Sequence, residues 1–397
     1  MALKSAEREI ARVSNEVEFG VSGLRAARII GKGGITTAYE VNGEQVIELK
    51  ICMRKNLPDL NHALDRDLGT LSRMVNREGG LLYGGGAVLA DLSGVEPRRF
   101  LTTSISESCA RSFLGITSQQ IVIGVRDEPF GFELYNMFRQ MSPVLLALSA
   151  SSPLEYLVSG LMDIRQHSGR IHKYEGLMKI FPENMLEAPA ISSNDEYFEY
   201  LYKISIDVRT RLETGKLDAN FEELVKERRS GEKVYRYYPF DILEPHQIFW
   251  FVRPRPDFRD EESKFVLEIR APDTPIRMER MKAINALVVG LSYYVGDSRY
   301  PPYIPFRGTL QEMFIVGKEG MNAVIGGSSV ADILERVINA ACIGLCNRGY
   351  HEDADRLKKM LNSVYEMNDV EEIRAYAAQA DGKADMVISR LAGVLRR

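Results

Sequence analysis

The sequence predicts an α+β fold, a largely antiparallel curved sheet backed by helices with a helical C-terminal region. Three observations carry that prediction. Short segments alternate with period two, longer segments between them have a helical period, and several of the alternating segments gather charge on one side.

The first strand is Glu16-Val17-Glu18-Phe19, in which Glu16 and Glu18 share a face and Val17, Phe19 and Val21 take the other. Ahead of it, Ala2 to Val13 carries a polar, helix-compatible pattern that Ser14-Asn15 breaks. The glycine-rich Gly31-Lys32-Gly33-Gly34 lacks both the first glycine of a phosphate loop and a hydroxyl residue after its lysine, so that motif is rejected. Gln45 to Ile51 alternates next, with Ile47, Leu49 and Ile51 inward and Glu48 and Lys50 outward. An amphipathic helix follows over Asp59 to Arg77 and ends at Gly79-Gly80. Gly84-Gly85-Gly86 reads either as close backbone approach to a ligand or as a plain turn.

Gln119 to Val125 is the next strand and places Gln120 opposite Ile121 and Ile123. Phe132 to Ala150 is an apolar helix that stops at Ser151-Ser152-Pro153. Gly160 to His172 holds four cationic candidates, Arg165, His167, Arg170 and His172, suited to an anion. The two histidines read as surface or locally bonded groups. Ser192 to Lys226 is partly helical, and the charge run Glu227 to Lys233 reads as a solvated turn. His246 to Pro256 is a strand closed by prolines, and Val266 to Arg270 another, with Glu268 and Arg270 projecting together. A long apolar helix spans Arg277 to Tyr294, and Leu310 to Arg397 is helical with caps near Gly349 and Gly382. The domain division expected is 1–310 as a catalytic unit with 311–397 as a helical region packed on it.

The chain has 397 residues, 45% of them apolar, and a formal charge of -4, enough for a substantial core and too acidic for broad attraction to nucleic acid. It has no apolar run of about 18 residues to span a membrane, and its first residues lead into a charged segment, so a cytoplasmic protein is expected. A homo-oligomer is left open. Cys52, Cys109, Cys342 and Cys346 are too scattered for a disulfide framework. Cys342 and Cys346, with His351 nearby, raise a metal reading, but their apolar helical setting favours a structural one.

The open face of the sheet would collect Glu16, Glu18, Glu48, Gln120, Arg253, Glu268 and Arg270. Ionised groups are seldom buried without a partner. Carboxylates in that number suit hard cations such as Mg²⁺ on a polyphosphate, and arginine forks suit a phosphoryl group. Charge on an edge strand can also serve only to block aggregation.

In order along the chain, Asn15-Glu16-Val17-Glu18-Phe19-Gly20, Val46-Ile47-Glu48-Leu49, the run Leu145 to Pro153, Gly160 to Arg165, Phe249 to Pro254 and Leu267 to Asp273 resemble the motifs of the glutamate-cysteine ligase and carboxylate-amine ligase family. Its catalytic domain is related to glutamine synthetase, and the resemblance covers roughly residues 14 to 295. Two departures stand out. Gln120 occupies a place that is histidine in many relatives, and Ser151 stands for an asparagine.

The resemblance implies ATP and Mg²⁺ as cofactors, small-molecule substrates (a carboxylate, glutamate foremost, and an amine, cysteine foremost), and an acyl-phosphate intermediate. It assigns Glu16, Glu18, Glu48 and Glu268 to Mg²⁺, with Gln120 as a weaker ligand. Glu268 and Arg270 become catalytic, Arg253 and Arg270 bind nucleotide, and Arg165 binds the amino-acid carboxylate. The contrasting expectation is a non-catalytic, nucleotide-binding relative with a regulatory role.

Overall fold

The computed structural model describes residues 8–24, 26–39, 45–90, 92, 115–157, 160–178, 189–197, 199–200, 251–255, 262–298, 300–366 and 369–395. Its centre is a seven-stranded antiparallel sheet built from β1 (Ile10–Ser22), β2 (Thr36–Tyr39), β3 (Val46–Arg54), β4 (Leu81–Tyr83), β5 (Gln119–Val125), β8 (Val252–Pro254) and β9 (Phe265–Ile269). The order is β2-β3-β1-β5-β9-β8, with β4 beside β1. Two smaller hairpins pair β6 (Leu154–Leu157) with β7 (Gly160–Asp163) and β10 (Val324–Ile325) with β11 (Ser328–Ser329).

One face of the sheet is core. Val17, Phe19, Leu49, Ile121, Ile123, Leu267 and Ile269 are all buried in a single cluster. Each such side chain stabilises by about 1.5–3 kcal/mol on burial, so the alternation in each strand dictates which residues face away. Irregularities in register between Ile10 and Arg12 and between Val13 and Asn15 bend the long first strand.

Helices cover the apolar face: α1 (Leu57–Arg77), α2 (Glu128–Ser149) and α4 (Met278–Ser298). The first begins two residues earlier than its periodicity suggests, because Asn56 accepts the Asp59 amide at 2.8 Å as a cap and Pro58 suits the first turn. α4 is apolar on nearly all sides and correspondingly buried from Arg280 to Tyr293. Gly131 of α2 lets Phe265 of β9 pack directly on it, since a Cβ there would lie 2.2 Å from the Phe265 ring.

The C-terminal part is helical, as the sequence predicts: α5 (Leu310–Glu319), α6 (Val330–Asn347), α7 (His351–Glu366), α8 (Asp369–Gln379) and α9 (Ala384–Leu395), with α3 (Gly169–Met178) earlier in the chain. Val337, Ala341 and Leu345 of α6 share the main core with Ala286 and Val289 of α4. Gly344 and Gly290 make that contact close, as a Cβ on Gly344 would fall 2.1 Å from the Gly290 carbonyl oxygen. No helix among the described residues is long and apolar enough to cross a membrane.

Three expectations change. Ile10 to Val13 is strand, not helix, because pairing of Ile10 with Val125 and Val13 with Ile123 outweighs a weak local pattern. Within the predicted strand His246 to Pro256, only Val252–Pro254 is strand among the described residues, and His246 to Trp250 lie outside them. The Gly84-Gly85-Gly86 loop approaches its own chain: a Cβ on Gly84 would sit 2.2 Å from the Pro275 carbonyl oxygen, and one on Gly86 would sit 2.4 Å from Asp273 Oδ2. Residues 201–226 and the charge run 227–233 lie outside the described residues, as does Cys109.

Candidate active site on the open sheet face

The face turned from the core carries two charged groups. The first centres on Glu18 and Glu48, which are directly opposite in the β1–β3 register and both buried. Directly opposed like charges destabilise a sheet, so this pair needs compensation. Part of it comes from donors: Glu18 Oε1 accepts from Gln120 Nε2 at 2.8 Å, and Oε2 accepts from the Ser118 amide at 2.7 Å and the Ser118 hydroxyl at 3.0 Å. Lys50 adds a cation, with Nζ 3.0 Å from Glu48 Oε2 and 3.8 Å from Glu16 Oε1. Glu16 is aligned with Lys50 on one side and Gln120 on the other.

The second group centres on Glu268, whose side chain is 1% exposed. Arg253 grips it in a fork, Nε to Oε2 at 2.8 Å and Nη2 to Oε1 at 3.0 Å. Arg255 Nη1 lies 2.6 Å from Oε2, and Arg270 Nη1 lies 3.5 Å from Oε1. Burial alone would raise the pKa of Glu268, but the guanidinium groups of Arg253, Arg270 and Arg255 hold it well below the usual carboxylate range. Three guanidinium groups thus converge on one buried carboxylate.

The sheet fixes how far apart the two groups stand. Glu268 is aligned with Val122, and Val122 with Ser14, four residues along β1 from Glu18. That is two strands across, about 10 Å, and about 13 Å along the strands. Glu18 and Glu268 therefore stand well apart on the same face of the sheet.

Mg²⁺ takes oxygen ligands at close to octahedral geometry and keeps several waters. Glu18 and Glu48, two buried carboxylates facing each other with Glu16 and the Gln120 amide alongside, are the candidates, and a metal there would have to displace the Gln120, Ser118 and Lys50 donors they now hold. Glu268, with both oxygens on arginines, has little capacity left. Among the described residues, no group of three or more His, Cys, Asp or Glu side chains stands ready to hold a metal ion by itself.

Arg165 occupies the turn after β7 with a left-handed φ of 56°, held by its amide donating to Asp163 Oδ1 at 2.7 Å. Its side chain is exposed. The four cationic residues of that region do not form one cluster: Arg165 and His167 lie in the turn after β7, and Arg170 and His172 in the helix that starts at Gly169. His172 bonds Gln166 at 2.9 Å, and His167 packs against Gly320. Burial and the neighbouring Arg374 lower the pKa of His167.

Arg170 is the one that is buried, and in place of the anionic ligand the sequence suggests for it, its partner is a carboxylate of the protein itself. Its Nε lies 2.9 Å from Asp273 Oδ1. Asp273 also accepts from the Ser152 hydroxyl at 3.1 Å and the Ser168 hydroxyl at 3.2 Å, while its own amide donates to Ser149 Oγ at 2.9 Å. Ser151 Oγ donates to the Thr274 carbonyl at 2.9 Å. Burial raises the Asp273 carboxyl against the pull of these donors. The buried serines after α2 were the available signal: hydroxyls at the end of an apolar helix need partners. Cys342 is buried on α6 whereas Cys346 is exposed, so the two face different surroundings.

An open antiparallel sheet backed by helices, with carboxylates and arginines on the face turned from the core, can set a cation-binding group beside an anion-binding one. The family model described as Glutamate-cysteine ligase family 2 (GCS2) matches residues 4–301, and the chain belongs to that family. Among solved structures, the chain is similar to the glutamate–cysteine ligase of Francisella tularensis in complex with AMP, with a TM-score of 0.66 and 10% identity, over 98% of this chain and 89% of that one. It is also similar to a bifunctional glutathione synthetase from Pasteurella multocida, with a TM-score of 0.58 and 13% identity, over 99% of this chain and 53% of that one. At such identities the likeness is one of fold. No curated protein sequence matches the chain.

Proposed function

We propose that the protein is an ATP-dependent ligase that joins the γ-carboxylate of L-glutamate to an amine, L-cysteine, through an acyl phosphate. The observation that carries the reading is the division of the open face into a carboxylate group around Glu18 and Glu48 and an arginine group around Glu268. A polyphosphate laid across it would meet cation-binding oxygens at one end and guanidinium forks at the other.

In the first step a carboxylate oxygen of the acid attacks the γ-phosphorus of ATP, the bond to the bridging oxygen breaks, and ADP leaves. In the second, the amine nitrogen attacks the acyl carbon, phosphate departs and the nitrogen loses a proton. Neither step needs a protein nucleophile; both need charge neutralisation and alignment. Mg²⁺, when bound, supplies neutralisation of the phosphate oxygens. Glu16, Glu18 and Glu48 are its proposed ligands, with Gln120 beside them. Glu268, assigned to the same shell by the resemblance, acts in this proposal by holding Arg253, Arg255 and Arg270 in place. Arg270 and Arg253 contact the phosphates. Arg165, an exposed guanidinium, keeps its fork for the amino-acid carboxylate. The proposed setting is the cytoplasm, and the proposed catalytic unit is residues 1–310 with 311–397 packed on it.

The test is ADP release with Mg²⁺, ATP and L-glutamate, with and without L-cysteine, together with mass detection of the amide product. Stimulation by cysteine and a product one water lighter than its two substrates is the expected result. ATP binding with no amine-stimulated turnover among the common amino acids would sink the enzyme reading in favour of a nucleotide-binding regulator.

A further inference from the structure

We propose that Arg170, locked to Asp273, is a positioning residue for Arg270. Arg270 is the first residue after β9, and its side chain must come off the sheet in a fixed direction to reach both Glu268 and a ligand. Its peptide is held from two sides. The Arg270 amide donates to the Phe251 carbonyl at 2.7 Å, continuing the pairing with β8. The Arg270 carbonyl accepts from Arg170 Nη1 at 2.9 Å, and the Ala271 carbonyl accepts from Nη2 of the same guanidinium. The planar fork of Arg170 therefore spans two successive carbonyls while its Nε faces Asp273, a fixed three-nitrogen geometry that the single nitrogen of a lysine does not reproduce.

Arg170 is itself immobilised. The Arg170–Asp273 pair is 3% and 0% exposed, and Ser152 Oγ accepts the amides of Gly169 and Arg170 at the start of α3, at 2.8 and 3.3 Å. Gly86 closes over Asp273, and the next residue, Thr274, donates to the Glu18 carbonyl at 2.8 Å. One buried ion pair thus ties the backbone of Arg270 to the strand that carries Glu18. The inference rests on the ligase reading for its effect on turnover, and on the geometry alone for its effect on Arg270.

Arg170→Lys tests it in the full-length protein, with Leu357→Ala in the distant core as a control for general destabilisation. Two quantities are read: the rate at which phenylglyoxal modifies Arg270, mapped by peptide mass, and kcat and KM for ATP from ADP release. The expected result is modification of Arg270 at least about threefold faster in Arg170→Lys and unchanged in Leu357→Ala, with kcat lower by about 10- to 100-fold at nearly constant KM. If Arg170→Lys does not fold, Ser168→Ala, which removes one donor to Asp273, shows the same pattern at smaller size. A fall in kcat with Arg270 reactivity unchanged overturns the proposal. Wild-type protein that makes no ADP with any amine, combined with the expected change in Arg270 reactivity, sinks the ligase reading and leaves the positioning role standing.

Discussion

Glu18 and Glu48 stand directly across from one another on adjacent antiparallel strands, both 4% exposed, on the side of the sheet away from the core. A protein selected only for stability would not keep that pair. Lys50 offsets part of the repulsion from the Glu48 side, and three donors from β5 and the residue before it offset part from the Glu18 side.

Replacing Glu48 by Gln removes one of the two opposed charges. Metal-free protein is expected to be as stable as the parent or more stable by a few tenths of a kcal/mol to about 1 kcal/mol. The rise in melting temperature on adding Mg²⁺ and ATP is expected to shrink or vanish. A loss of metal-free stability above about 2 kcal/mol would show that the pair is structural.

Glu268→Gln removes the buried carboxylate that Arg253, Arg255 and Arg270 share. Breaking a buried pair by removing one partner costs about 3–5 kcal/mol, to be read from urea denaturation midpoints at pH 7. A cost below about 1 kcal/mol would mean that the arginines find other partners.

The same carboxylate governs acid sensitivity. Its pKa in the folded protein is depressed, so its contribution is full above the unfolded value of about 4.3 and is lost as pH falls through that value toward the folded one. The gap in stability between the parent and Glu268→Gln is expected to be constant from pH 7 to 6 and to narrow below about pH 5. A gap that widens on acidification contradicts the assignment.

Two glycines make opposite predictions. Gly86→Ala would drive a Cβ to 2.5 Å from Asp273 Cγ and is expected to cost about 1–3 kcal/mol. Gly69→Ala, inside α1 with only the Arg73 side chain at 3.6 Å, is expected to stabilise by about 0.5–1 kcal/mol. Chemical denaturation of both variants measures the pair.

Burial pushes the Cys342 thiol up to about 11, whereas Cys52 and Cys346 are exposed. Alkylation at pH 8, followed by peptide mass, is expected to label Cys52 and Cys346 within minutes and Cys342 only after unfolding. Equal labelling of Cys342 and Cys346 in native protein would place Cys342 elsewhere.

The amino-acid sequence by itself determined which residues turn away from the core. Alternation along a strand is a property of the local backbone, so Glu16, Glu18, Glu48, Gln120 and Glu268 could be assigned to one face without knowing where their strands lie. Helix spans followed from period and caps for the same reason. Strand order and register are different in kind, since they are settled by contacts between residues a hundred or more positions apart. Only the tertiary structure set Glu18 opposite Glu48, put three arginines on Glu268, scattered the cationic residues between Arg165 and His172, and brought the serines after α2 to Asp273 and Arg170. A buried polar group takes whichever partner the packing supplies, and no local pattern in the chain encodes which one that is.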